Sequence, residues 1–117
     1  MVYIEGFVTP VPSANKAAYE AHARTAADMI RSFGATRFVE CWGDDVPRGK
    51  LNDLYMAVDA KADETVVFSW FEYPDKATRD AANRKMMSDP RMEAFAKDMP
   101  FDGKRMIYGG FDILFEG

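Results

Sequence analysis

The chain is poor in the residues that metal and redox chemistry need: one cysteine and one histidine in 117 residues. A lone Cys41 closes no internal disulfide, and one imidazole with one thiol does not make a zinc site of the usual composition, with no CxxC or HxxxH spacing present. Basic residues are also scarce. Lys and Arg total 15 against 19 Asp and Glu, a net charge of −4. No global field therefore attracts a polyanion, and nucleic acid is not expected as a partner. The neighbouring Arg48 and Lys50, and Lys104 and Arg105, read as solvated charges. No run approaches the ~18 apolar residues that cross a bilayer, and no basic stretch followed by an apolar run opens the sequence. Neither a membrane nor a secretory route is expected, and a cytoplasmic setting is. The nucleotide-cradling patterns GxGxxG and GxxxxGKS are absent, so a chemistry without cofactor is expected.

What is present suits one folded domain over 1–117: 48% hydrophobic residues with 29% charged. Residues 2–11 alternate as a strand stopped by Pro10 and Pro12. Ser13 is placed to cap a helix in which Tyr19, Ala23, Ala26, Ile30 and Phe33 form an apolar stripe, closed by Gly34. Residues 36–43 read as a second strand, with Cys41 as a small buried hydrophobe in it, and 54–58 as a short extra strand. Residues 64–73 form the strongest strand, apolar in both alternating sets, so both its faces are expected to be buried. Asp75 opens a second helix. Asp89 and Pro90 stop it and start a third carrying Met92, Phe95, Ala96 and Met99. The last strand spans 104–115, where Gly109 and Gly110 suggest a bulge or a close backbone approach. Two strand-helix-strand halves predict an α+β, ferredoxin-like fold (βαββαβ with a small extra strand): an antiparallel sheet with helices on one face. An apolar free face needs a cover. A second copy is expected there, pairing sheet to sheet, the alternative being the third helix folded across.

The runs GFV at 6–8, VECW at 39–42, ETVVFSW at 64–70, MMSDPRM at 86–92 and MPFDGKRMIYGGF at 99–111 resemble the YbaA-like (DUF1428) family of small uncharacterised bacterial proteins. The resemblance implies the dimeric α/β-barrel superfamily, in which two ferredoxin-like sheets pair. It implies no activity, since members of that superfamily range from cofactor-free monooxygenases and isomerases to proteins of no known chemistry.

Strand alternation brings out one constellation. Tyr3, Glu5, Phe7; Phe38, Glu40, Trp42; Phe68, Trp70, Glu72; and Tyr108, Asp112, Leu114 form one set, with a carboxylate from each strand among aromatic rings, expected on the face away from the helices. The aliphatic set of Ile4, Val8, Val39, Cys41, Val67, Ile107 and Ile113 is expected beneath the helices. An acid among rings loses hydration and becomes a better base near neutral pH. In the structural reading each acid is instead paired with Arg37, Lys104, Arg105 or a backbone N–H across the dimer seam, or sits at a strand end in water. His22, beside the stripe of the first helix, is a candidate base by its pKa. Glu40, Tyr108 and His22 are thus the catalytic candidates, and Glu5, Trp42, Phe68, Trp70, Glu72 and Asp112 the pocket candidates. Met86, Met87, Met92, Met99 and Met106 either fill the core or line an adaptable site for a small apolar or aromatic ligand. Two functions remain: a cofactor-free enzyme acting by proton transfer or oxygenation, and a non-catalytic homodimeric module binding a small ligand or a protein.

Overall fold

The computed structural model describes residues 2–117. In chain order it runs β1 (Tyr3–Pro12), α1 (Lys16–Ser32), β2 (Arg37–Trp42), α2 (Leu54–Ala57), β3 (Glu64–Tyr73), α3 (Lys76–Ser88), α4 (Arg91–Lys97) and β4 (Ile107–Asp112), with one 3-10 turn at Ser13–Asn15. The four strands form one antiparallel sheet in the order β2-β3-β1-β4. This is the ferredoxin-like arrangement expected from the two strand-helix-strand halves. β1 runs through both prolines because β4 pairs with it only from Tyr3 to Val8. Beyond Val8 one side of β1 is an edge, where a residue lacking an N–H is tolerated.

Several local expectations change. Ser13 does not cap α1: its hydroxyl lies 2.7 Å from the Thr65 hydroxyl and its N–H donates to the Asp63 carbonyl, pinning the turn to β3 so that α1 starts later. Residues 54–57 are helical rather than a strand, because Asp53 accepts the Met56 N–H at 2.6 Å and leucine, methionine and alanine favour a helix once it is capped. Asp75 caps α3 as expected, through the Thr78 N–H. Asp89 accepts the Arg91 N–H at the start of α4. β4 is shorter than 104–115, and its pairing with β1 runs unbroken through Gly109 and Gly110, so no bulge forms there.

The largest correction concerns the faces. Paired residues in an antiparallel ladder point to the same side. Phe7 pairs with both Ser69 and Tyr108, Glu40 with Ser69, and Glu5 with Phe71. Tyr3, Glu5, Phe7, Phe38, Glu40, Trp42, Tyr108 and Asp112 therefore share the helix side with Val67, Ser69, Phe71 and Tyr73, while Phe68, Trp70 and Glu72 look away. Alternation gives parity within a strand and says nothing of the phase between strands. On β3, apolar in both sets, that phase is ambiguous. The helix side holds two core clusters, one around Ile30, Ala35, Phe71, Tyr73 and Ala82, the other around Val11, Tyr19 and Val67.

On the outer side Val66 is buried, but Phe68 is 51% and Phe111 60% exposed, so β3 is not buried on both faces within one chain. Cys41, paired with Phe68, is exposed there rather than buried. α4 does not cross to cover this side: Phe95 stacks on His22 of α1, ring centres 3.9 Å apart, on the helix side.

Candidate functional site

Between the two core clusters the sheet and helices fail to meet, leaving a cavity of about 380 Å³. α1 lines it with Tyr19, His22 and Ile30 and leaves room with small side chains at Ala23 and Ala26, and Met86, Met92, Met99 and Met106 also line it. Unbranched thioethers adapt to an irregular space, which suits a wall of this kind. Met87, 87% exposed, stands at its mouth. No lysine or arginine lines it. Its floor is a row across all four strands, Glu40, Ser69, Phe7 and Tyr108, set by the ladder register.

Glu40 carries the clearest chemistry. The Tyr19 hydroxyl of α1 donates to its Oε1 at 2.6 Å, and among the described residues no Lys, Arg or His forms an ion pair with it. As a residue of the edge strand Glu40 is open on one side. On the other, crowding by the protein pushes its pKa up, opposed by the hydroxyls of Tyr19 and Ser69. The open side limits this push, since water reaches the carboxylate. Tyr19 is buried, and its phenol is held far above the ordinary tyrosine value, first by burial and then by the charge of Glu40. It remains a donor across the accessible pH range.

Glu5 is different. It is 4% exposed, and its Oε2 accepts from Arg79 Nη1 at 3.2 Å and Asn83 Nδ2 at 3.1 Å, both on α3. Arg79 also bonds Asp80 and lies 4.9 Å over the Tyr3 ring. This explains Gly110, where an added Cβ would run into the Tyr3 hydroxyl and the Arg79 guanidinium. His22 sits on the cavity wall, its Nε2 3.4 Å from the Phe95 carbonyl, and burial holds its pKa below the ordinary value against that bond. This favours the neutral ring.

The three catalytic candidates, His22, Glu40 and Tyr108, thus all line one cavity, as does Glu5. They do not form one cluster: Glu40 and Tyr108 stand at opposite ends of the floor row, three strand spacings or about 14 Å apart, and Tyr108 is 68% exposed. Trp42 packs near Tyr19 at the edge of β2, with Lys16 Nζ 5.5 Å over its ring. Phe68, Trp70 and Glu72 lie on the outer side, where Glu72 accepts from Arg37 and from the Trp70 indole and is held below its ordinary pKa. Asp112 is exposed at the end of β4. Arg105 binds no strand-centre acid. It grips Glu64 with two bonds of 2.6 Å and also Asp102. The polar residues that sequence patterning missed are Thr9, Tyr19, Ser69, Arg79 and Asn83. The one signal for them is the i, i+4 spacing of Arg79 and Asn83 on a helix with a thin apolar side.

Among the described residues no group of three or more His, Cys, Asp or Glu is placed to hold a metal ion, and no helix is long and apolar enough to cross a membrane. In structure the chain is similar to a dimeric ferredoxin-like protein from an uncultured marine organism, with TM-score 0.59 and 12% identity over 99% of this chain and 98% of that one. It is also similar to SnoaB, a cofactor-independent oxygenase from Streptomyces nogalater, with TM-score 0.54 and 18% identity over 98% and 94%. At such identities the likeness is one of fold. In sequence it is 59% identical over 116 residues to the uncharacterized protein YbaA of Escherichia coli K12, covering 99% of each. The family model described as "Protein of unknown function (DUF1428)" matches residues 2–103, and the chain belongs to that family.

Proposed function

We propose that the protein is a homodimer, joined through the outer faces of its sheets, and that the inner cavity of each subunit binds a small apolar or aromatic molecule and moves a proton on it without a cofactor. The observation that carries this reading is Glu40: a carboxylate without a basic partner, made more basic by crowding, on the wall of a methionine-lined cavity. Its carboxylate takes a proton from a carbon or oxygen acid of the ligand, and the electron pair left behind delocalises into the ligand's carbonyl or ring. Tyr19 stays protonated and holds the carboxylate in place. The fold that SnoaB shares lends support, because it houses a reaction that needs no cofactor in that protein. Dimerisation is supported by the bare apolar outer face and by the dimeric state of the marine relative in fold.

The test is exchange of the acidic methylene hydrogens of 2-tetralone, a neutral aromatic ketone, followed by NMR in deuterated water. The full chain should accelerate exchange and Glu40→Gln should not. Absence of acceleration, or equal acceleration by the variant, removes the enzymatic reading. A second reading, a non-catalytic module, is favoured by the pairing of Glu5 with Arg79 and of Glu72 with Arg37, the pattern of structural acids. Binding of 2-tetralone with no exchange would select it.

A further inference from the structure

The cavity presents two separate acceptor stations, and from them we infer that its ligand is an uncharged, flat aromatic molecule with a hydrogen-bond donor at each end. This rests on the cavity being a ligand site and narrows what it takes. The first station is Glu40, with Tyr19 and Ser69 beside it. The second is Glu5. Only its Oε2 is engaged by Arg79 and Asn83, and among the described residues Oε1 has no hydrogen-bond partner. Among the described residues the single sealed polar side-chain atom without a partner is Tyr73 Oη, so Glu5 Oε1 keeps some accessible surface, and Glu5 is one of the residues that line the cavity. A carboxylate 4% exposed with one oxygen free of side-chain bonds can accept a donor from a ligand, with the unpartnered Tyr73 hydroxyl, whose pKa is raised by burial and then by the Glu5 charge, as the competing donor.

The register sets the distance between the stations. Glu5 on β1 and Glu40 on β2 flank β3, and their partners Phe71 and Ser69 are two residues apart on it. Strand spacing and rise place their Cα atoms on the order of 12 Å apart. Phe7 and Phe71, ring centres 4.8 Å apart, lie on the floor beside the two stations, and Ala23 and Ala26 face them from α1. Rings below and methyl groups above suit a flat apolar body. Charge narrows the class further. An anion would meet two acids and no lining cation, Arg79 being engaged by Glu5 and Asp80. A cation would lose its hydration against thioethers and rings for most of its length.

Isothermal titration of the full chain with three probes tests this: 2,6-dihydroxynaphthalene, 2-naphthol and naphthalene-2,6-dicarboxylate. The diol should bind about tenfold more tightly than 2-naphthol, the effect of one further hydrogen bond to a charged group, and the dicarboxylate should not bind. Glu40→Gln, on an exposed strand edge and safe for folding, should bring the ratio of diol to naphthol affinity close to one. Glu5→Gln should do the same, its folding checked by thermal unfolding. If 2-naphthol binds as tightly as the diol, if the dicarboxylate binds as tightly, or if the ratio survives both substitutions, the two-ended class is wrong while the cavity remains a ligand site. If no probe binds, or if binding is unaffected by Ala23→Trp, which fills the slot, the cavity reading fails and the ligand class with it.

Discussion

On the helix side of the sheet Glu5, Thr9 and Ser69 are buried among aromatic rings, and α3 reaches down with Arg79 and Asn83 to bond the acid. On the outer side Ile4, Val8, Phe68, Trp70, Ile107 and Phe111 surround Gly6 and Gly109 without a charged group among them. Buried polar groups cost free energy unless bonded, so several kept beside an incompletely filled space mark the side on which the proposed function places the ligand. A bare apolar surface has the opposite meaning. Its cost is lifted by covering it, and its lack of polar groups makes it suited to association rather than to chemistry. Under the proposed function, the two faces of one four-stranded layer divide assembly from ligand handling.

The strongest way to break this contrast is at the outer face. Phe68→Asp with Phe111→Asp should convert a dimer to a monomer at micromolar concentration, read by light scattering after size exclusion, with the far-UV circular dichroism retained. A monomeric parent chain would show that the outer face has another use. Next in size is Arg79→Met, which leaves Glu5 buried with Asn83 alone. Breaking a buried pair from one side costs about 3 kcal/mol, measured by urea unfolding, with no change in oligomeric mass.

A pair of adjacent glycines sharpens the comparison. Gly110→Ala on the helix side forces the Tyr3 ring and Arg79 apart and should destabilise by about 1–2 kcal/mol. Gly109→Ala, whose new methyl meets only the Phe111 ring at 3.7 Å, should leave subunit stability nearly unchanged and weaken dimerisation instead. Equal effects of the two on stability would deny the division of labour. A modest effect is expected from Glu64→Gln, at the end of the outer side opposite the Arg37–Glu72 pair. Glu64 and Arg105 shield each other close to the surface, with side chains 4% and 17% exposed. The Arg105 guanidinium holds the Glu64 pKa below the usual carboxylate value. A depressed pKa contributes stability above the unfolded-state value, and this is lost as pH falls through the folded-state value. The variant should therefore melt a few degrees lower at pH 7, and the difference should close as pH falls below the ordinary glutamate range.

The fold was legible because its signals are local. Gly34, at a φ of 122°, ends α1 where the stripe of Tyr19, Ala23, Ala26 and Ile30 runs out, and Asp75 caps α3 beside a proline. β3 is assigned over 64–73 by its β-branched and aromatic content alone. The site was legible only in part. The methionines read as core filling or as an adaptable pocket shared with Trp42, Phe68, Trp70 and Tyr108, yet Phe68 and Trp70 face the other side, and Tyr19 read as core when its hydroxyl in fact holds Glu40. Arg79 and Asn83 could not be matched to Glu5, 74 and 78 residues away, by any pattern within the chain.

By itself the sequence determined the long elements, their order and the family, though not the short helix at 54–57 or the ends of β4, since caps, breakers and alternation act within a few residues. Only the tertiary structure decided which face each strand turns to the helices, and so which acids meet the cavity. That choice belongs to the pairing of strands distant along the chain, where a shift of one residue exchanges inside for outside.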